Sequence, residues 1–188
     1  HAVYCTTEDG ECKKLAEVSG RPSGISFLPD GKLIVVSMAD RRLIEITNSG
    51  GLREYADLSE IVDSDINDSV IDAHGNIYVG NFGYDLFSGE EPRLASIVTV
   101  RKDGSSFVAA RDLNFPNGAV VTPDGKQLVC AETFGHCLTV FDLNLDGKLT
   151  NKRCWAELGE HTPDGICLDA EGAIWVASFV TGQFLRVK

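Results

Sequence analysis

Polar and apolar positions along this chain alternate in short runs, and four times the runs follow one order. A small polar cluster is followed by an apolar run, a tight turn and a second apolar run. The four copies begin at Pro22-Ser23-Gly24, Ile66-Asn67-Asp68, Pro116-Asn117-Gly118 and Pro163-Asp164-Gly165. Their turn glycines are Gly31, Gly75, Gly125 and Gly172, spaced about 44–50 residues apart, a period typical of propeller blades. Two further, more polar runs follow in the first three copies, as in RRLIEIT and LREYADL, or LTVFDL and KLTNKRCWAEL. Runs this short, bounded by Gly, Asn and Asp, predict strands. Four strands per repeat, apolar within and more polar outward, predict a β-propeller of antiparallel blades whose inner strands are buried on both faces.

The fold class is therefore all-β, with residues 1–188 forming one domain. Whole blades are expected near 20–58, 60–112 and 114–159, with partial blades at 1–18 and 161–188. The opening segment reads as a third and fourth strand, the closing one as the first three. The chain starts at His1, its only methionine is Met38, and it stops inside the run FLRVK, so both ends read as cut. Unpaired sheet edges are templates for association. The arc is expected to be completed by pairing of its two partial blades, by a second chain through self-association, or by further segments.

Equivalent slots in successive blades face one axis, and here they hold Ser23, Asn67, Asn117 and Asp164. Taken singly, each tripeptide is turn chemistry. Their common phase instead favours a shared ligand site. One carboxylate and two amide oxygens (Asn67, Asn117, Asp164) suit a divalent cation, Ca2+ first, with Zn2+, Mg2+ or Mn2+ as alternatives. No Cys or His occupies that phase, which disfavours thiolate or imidazole metals. The connections Met38–Arg42, Asn81–Ser96, Glu132–Cys137 and Ser178–Gln183 should rise to the same mouth. The longest, with Phe82, Tyr84 and Phe87, reads as a lid or wall. Substrate contacts are expected from Asn67, Phe82, Tyr84, Phe134 and His136. Two stretches open like EF-hand loops, at Asp63 and Asp142, but Asp68 stands where the first needs glycine, and the second ends on Arg153. Both are strand-edge turns.

Composition narrows the partners. The net charge is −11, which argues against nucleic acid and anionic membrane surfaces, since both need a basic patch. No apolar run approaches the length of a membrane span. A small neutral substrate or a metal cation fits better. Of the six cysteines, Cys5 and Cys12 flank a turn and raise a hairpin disulfide against free thiols; free thiols are the simpler reading. No nucleophile elbow, phosphate loop or His-Glu-x-x-His occurs. No leader is visible and the chain is placed in the cytoplasm, a removed signal peptide staying open.

The runs RPSGISFLPDGKLIVVSM, NDSVIDAHGNIYVGNFG, FPNGAVVTPDGKQLVCAETFGH and TPDGICLDAEGAIWVA cover nearly the whole chain. Together they resemble the senescence-marker-protein/gluconolactonase (regucalcin-like) family. The resemblance implies a six-bladed propeller with one divalent cation, usually Ca2+, in the central channel. It maps the family's asparagine ligand onto Asn117 and its aspartate, ligand and proposed base, onto Asp164. Asn67 maps to a position beside the metal. Two features depart from the pattern. The family's Glu-Gly-Pro motif is absent, and Asp65 stands where the family's lactone-gripping arginine would be. The expected function is a gluconolactonase-like, Ca2+-dependent hydrolase of lactones or related esters, with Asp164 catalytic and a sugar acid lactone not the preferred substrate. The alternative is a non-catalytic propeller that binds a small ligand or protein on its channel face.

Overall fold

A computed structural model describes residues His1–Lys188. It contains seventeen strands and no helix. In chain order they are β1 (Ala2–Thr6), β2 (Cys12–Glu17), β3 (Pro22–Phe27), β4 (Leu33–Ser37), β5 (Arg42–Ile46), β6 (Leu52–Asp57), β7 (Ile66–Ile71), β8 (Ile77–Asn81) and β9 (Ala95–Val100). There follow β10 (Ser106–Leu113), β11 (Pro116–Val121), β12 (Gln127–Glu132), β13 (Cys137–Leu143), β14 (Leu149–Glu157), β15 (Pro163–Leu168), β16 (Ile174–Ser178) and β17 (Gln183–Val187). Three antiparallel four-stranded sheets, β3–β6, β7–β10 and β11–β14, are flanked by the two-stranded β1–β2 and the three-stranded β15–β17. Strands β3, β7, β11 and β15 lie against one another in that order and form the inner edge of the arc.

The alternation in the second strand of each sheet feeds two cores at once. Ile34 and Val36 of β4 pack with Ile77 and Val79 of β8, while Val35 between them packs with Val3 of β1, Ala16 of β2 and Val18 just after it. In β12, Leu128 and Cys130 join Tyr78 and Ile97 of the preceding sheet. Val129 and Ala131 join Ile174 and Val176 of the next. A strand buried on both faces must be apolar on both, so the period-two pattern disappears there. The Asp-Gly hairpins behave as the sequence requires: Gly31, Gly104, Gly125 and Gly147 all have positive φ.

The arc is open. The two partial sheets do not pair with each other, which removes the first route by which the sequence expected closure. Each flank of the arc presents apolar side chains to solvent. Ile25 and Phe27 of β3 are exposed, the latter at 67%, and at the other end Trp175 and Phe184 are exposed, the latter at 77%. Cys5 pairs with Lys13 and Thr6 with Cys12, so the two thiols project from opposite faces of the hairpin. All six cysteines are free.

Candidate functional site

The tripeptides at the start of each inner strand are not turns. Each sits in a strand and forms a β-bulge at the same register. Pro22 pairs with Ser37 and Ile25 with Val35; Ile66 pairs with Asn81 and Ser69 with Val79. Pro116 pairs with Glu132 and Ala119 with Cys130; Pro163 pairs with Ser178 and Ile166 with Val176. In every blade three steps on the inner strand oppose two on its partner. The extra residue releases the backbone from the ladder and re-aims side chains. Ser23, Asn67, Asn117 and Asp164 are the middle residues of these tripeptides, so one local distortion, repeated four times, presents all of them.

Glycines let the inner strands close together at this level. A Cβ on Gly24 would meet the backbone of Asp68 and Ser69, with Ser69 N at 2.6 Å. One on Gly118 would meet Asp164 O and Ile166 N, both at 2.7 Å. The β7–β10 blade breaks this rule, because Asp68 occupies the glycine phase. Its half-buried carboxyl is raised above the ordinary aspartate range, first by burial and then by the nearby charge of Asp164. The same carboxylate lies close enough to push up the thiol of Cys130, which burial raises most. Asp68 is a site residue that reasoning by repeat phase had passed over. Its signal was the replacement of a repeat glycine by an acid.

The two asparagines differ. Asn117 is buried and donates its side-chain N–H to Thr133 Oγ1 at 3.2 Å, leaving its carbonyl oxygen free. The carbonyl oxygen of Asn67 accepts a hydrogen bond from Ser23 at 3.3 Å, so its amide N–H2 is the available group. No cluster of three or more His, Cys, Asp or Glu side chains forms in the chain. What converges is a mixed set: Asn67, Asp68, Asn117 and Asp164, all oxygen and amide chemistry.

The mouth differs from its sequence reading. Phe82 and Tyr84, expected to contact substrate, are only 5% and 4% exposed. They form a buried cluster with Phe115, and Phe82 stacks on Phe115 with ring centroids 4.5 Å apart. Their aromatic area is taken up by packing, and Phe115 reaches them from a left-handed corner (φ 61°). Phe134, edge-on to Phe115 at 5.0 Å, and Phe87 keep exposed surface. His136 is turned sideways. Its Nδ1 lies 2.9 Å from the carbonyl of His161; a carbonyl only accepts, so Nδ1 carries the proton and the ring ties two connections together. Asp65 forms an ion pair with Arg21 of the preceding blade, and the Arg21 guanidinium lies over the Phe87 ring, 4.5 Å from its centroid. An arginine thus does reach this mouth, from a neighbouring blade and already paired.

The sequence profile described as SMP-30/Gluconolactonase/LRE-like region matches residues 1–188. The chain belongs to that family. Chicken (Gallus gallus) regucalcin is 29% identical over 125 residues, covering 64% of this chain and 42% of the relative. The chain therefore spans less than half the length of that relative. A gluconolactonase from Xanthomonas campestris superposes with a TM-score of 0.81 at 23% identity, over 99% of this chain and 68% of that one. The calcium-binding protein regucalcin from Agrobacterium tumefaciens gives 0.62 at 22%, over 84% and 67%. At these identities the structural likeness establishes a shared propeller-type fold.

Proposed function

We propose that this chain carries the site of a divalent-cation-dependent hydrolase acting on lactones or related esters, with Ca2+ the preferred ion. One observation carries the reading: the half-buried carboxyl of Asp68, raised first by burial and then by the neighbouring charge of Asp164, lies on the inner strand next to the one that carries Asn117, whose side-chain carbonyl oxygen is free. Two neighbouring carboxylates without a cationic partner are costly when both are ionised. A hard cation relieves that cost, and mixed carboxylate and amide oxygens suit Ca2+ better than softer metals. Asn117 and Asp164 would hold the ion, with Asp68 neutralising its remaining charge. The bound ion would supply Lewis-acid polarisation of the scissile carbonyl.

The chain's own residues account for the rest. Asp164 accepts the proton of the attacking water. Asn67, whose oxygen is engaged by Ser23, offers its N–H2 to a substrate oxygen. Phe134 and Phe87 give an apolar rim that suits an uncharged acyl or lactone ring, while Arg21, already paired with Asp65, offers little to a sugar acid. Family membership supports this chemistry at the level of class.

The test is calorimetric titration with Ca2+ and a panel of lactone and ester substrates, using the wild type and Asp164→Ala. Calcium binding and calcium-dependent turnover in the wild type, both lost in the variant, are expected. Calcium binding equal in both proteins would overturn the assignment. Binding without any turnover would favour a non-catalytic ligand-binding role.

A further inference from the structure

The four blades share a further backbone bond whose residues are not alike. Met38, Phe82, Thr133 and Phe179 each follow the second strand of a blade. Their N–H groups donate to the carbonyls of Arg21, Asp65, Phe115 and Thr162, the residues just before each inner strand, at 3.0, 2.9, 3.1 and 3.2 Å. Three of the four side chains at this phase are large and apolar. The fourth is Thr133, which is 1% exposed.

Its hydroxyl has one proton and its partners dictate where that proton goes. Thr133 Oγ1 lies 2.7 Å from the carbonyl oxygen of Pro163. A carbonyl cannot donate, so the threonine donates there. The hydroxyl oxygen then has only lone pairs to offer its second neighbour, the Asn117 side chain at 3.2 Å. Asn117 must turn its N–H2 toward Thr133, because the flipped amide would set oxygen against oxygen. The relay runs from Pro163, the residue before Asp164, through Thr133, to Asn117.

We infer that Thr133 is a positioning residue: its hydroxyl fixes the side-chain amide of Asn117 with the N–H2 toward Thr133 and the carbonyl oxygen turned away from it, and it ties β11 to β15 at the level of Asp164. The choice of a cation as what that oxygen meets rests on the function proposed above; the orientation of the amide does not. Neighbouring bonds brace the same corner. The carboxylate of Glu132 accepts the Asn114 backbone N–H and the Thr139 hydroxyl, each at 2.6 Å, which holds the Asn114–Phe115 segment leading into β11. Partners that orient a metal ligand typically account for about 10- to 100-fold in metal affinity.

Two variants of the full chain test this: Thr133→Val, which keeps the shape and removes the hydroxyl, and Thr133→Ser, which restores it. The first measurement uses no cation. The Asn117 side-chain amide protons, followed by NMR, should keep the same shifts and slow solvent exchange in the wild type and in Thr133→Ser, and should shift strongly and exchange faster in Thr133→Val. The second is calcium titration, where Thr133→Val should bind about 10- to 100-fold more weakly and Thr133→Ser should recover most of the loss. Unchanged Asn117 resonances, or calcium affinity equal to wild type in Thr133→Val, would overturn the inference. If Thr133→Val does not fold, the wild type decides: a contact between the Thr133 hydroxyl proton and the Asn117 amide is expected, and its absence refutes the relay. If the wild type binds no calcium, the proposed function fails and the Asn117 resonances alone judge Thr133.

Discussion

Gly118→Ala and Gly165→Ala make a matched pair that measures how closely the inner strands must approach. Both glycines occupy the same repeat phase, and neither has positive φ, so alanine is conformationally permitted at each. Both substitutions therefore gain a similar amount, about 0.4–1 kcal/mol, from a less disordered unfolded chain. They differ in what the new methyl group meets. At Gly165 nothing lies within 4 Å. At Gly118 the methyl would sit 2.7 Å from Asp164 O and Ile166 N and 2.9 Å from the Cα of Gly165. These are backbone atoms, so no side chain can rotate away, and reaching an ordinary 3.4 Å contact requires β15 to retreat by about 0.7 Å. Overpacking of this kind costs about 1–3 kcal/mol. Since the entropic term is shared, the difference between the two variants isolates the clash. At about 2–4 °C per kcal/mol for a chain of this size, Gly118→Ala should melt about 2–12 °C below Gly165→Ala in calorimetry. The retreat also exceeds the roughly 0.5 Å tolerance of a binding constellation, so calcium affinity should fall in Gly118→Ala alone. Equal melting temperatures for the pair would show that β11 and β15 are not in the contact described.

Asp68→Asn should change how stability depends on pH. The folded-state carboxyl of Asp68 is raised, so its contribution is fully present below its unfolded value, near 3.8, and is lost as pH rises through the folded value. The wild type should therefore lose stability relative to Asp68→Asn as pH increases above about 4, and added calcium should shrink the gap; parallel Tm-against-pH curves would contradict this. Phe82→Ala should cost about 3–5 kcal/mol because its ring is buried and stacked, whereas Phe134→Ala should cost far less and instead reorder kcat/KM across an ester panel. Similar Tm losses in both would mean that the burial contrast is wrong.

Much of this was legible because a propeller writes its geometry into a period. The Asp-Gly hairpins and the paired apolar runs marked strands, and the common phase of Asn117 and Asp164 marked a shared level in the arc. The bulge that presents them was not legible, since Pro-Asn-Gly has equally good chemistry for a turn; only the register against β12 separates the two. Asp68 was visible but misplaced, set aside as a failed EF-hand glycine when it was a failed repeat glycine. Thr133 left no mark in sequence, because its phase is defined by a backbone bond to Phe115 and one extra residue in the β11–β12 turn shifts its alignment. Phe82 and Tyr84 were assigned to the mouth from topology. Their burial depends on Phe115 adopting a left-handed corner, a tertiary outcome no local pattern encodes.

The repeated bulge has a mechanical consequence. Each of the four slot residues belongs to a different blade, and each blade otherwise holds mainly to its immediate neighbours, as in a stacked array whose stability is a sum of nearest-neighbour terms. A ligand gripped by Asn117 and Asp164 together acts as a rivet through two plates, and Asp68 extends its pull to a third. Such a rivet strengthens the joints and not the plates. Blades that can loosen one after another in its absence are then obliged to come apart together, so the ion would convert a sequential opening into a single cooperative event.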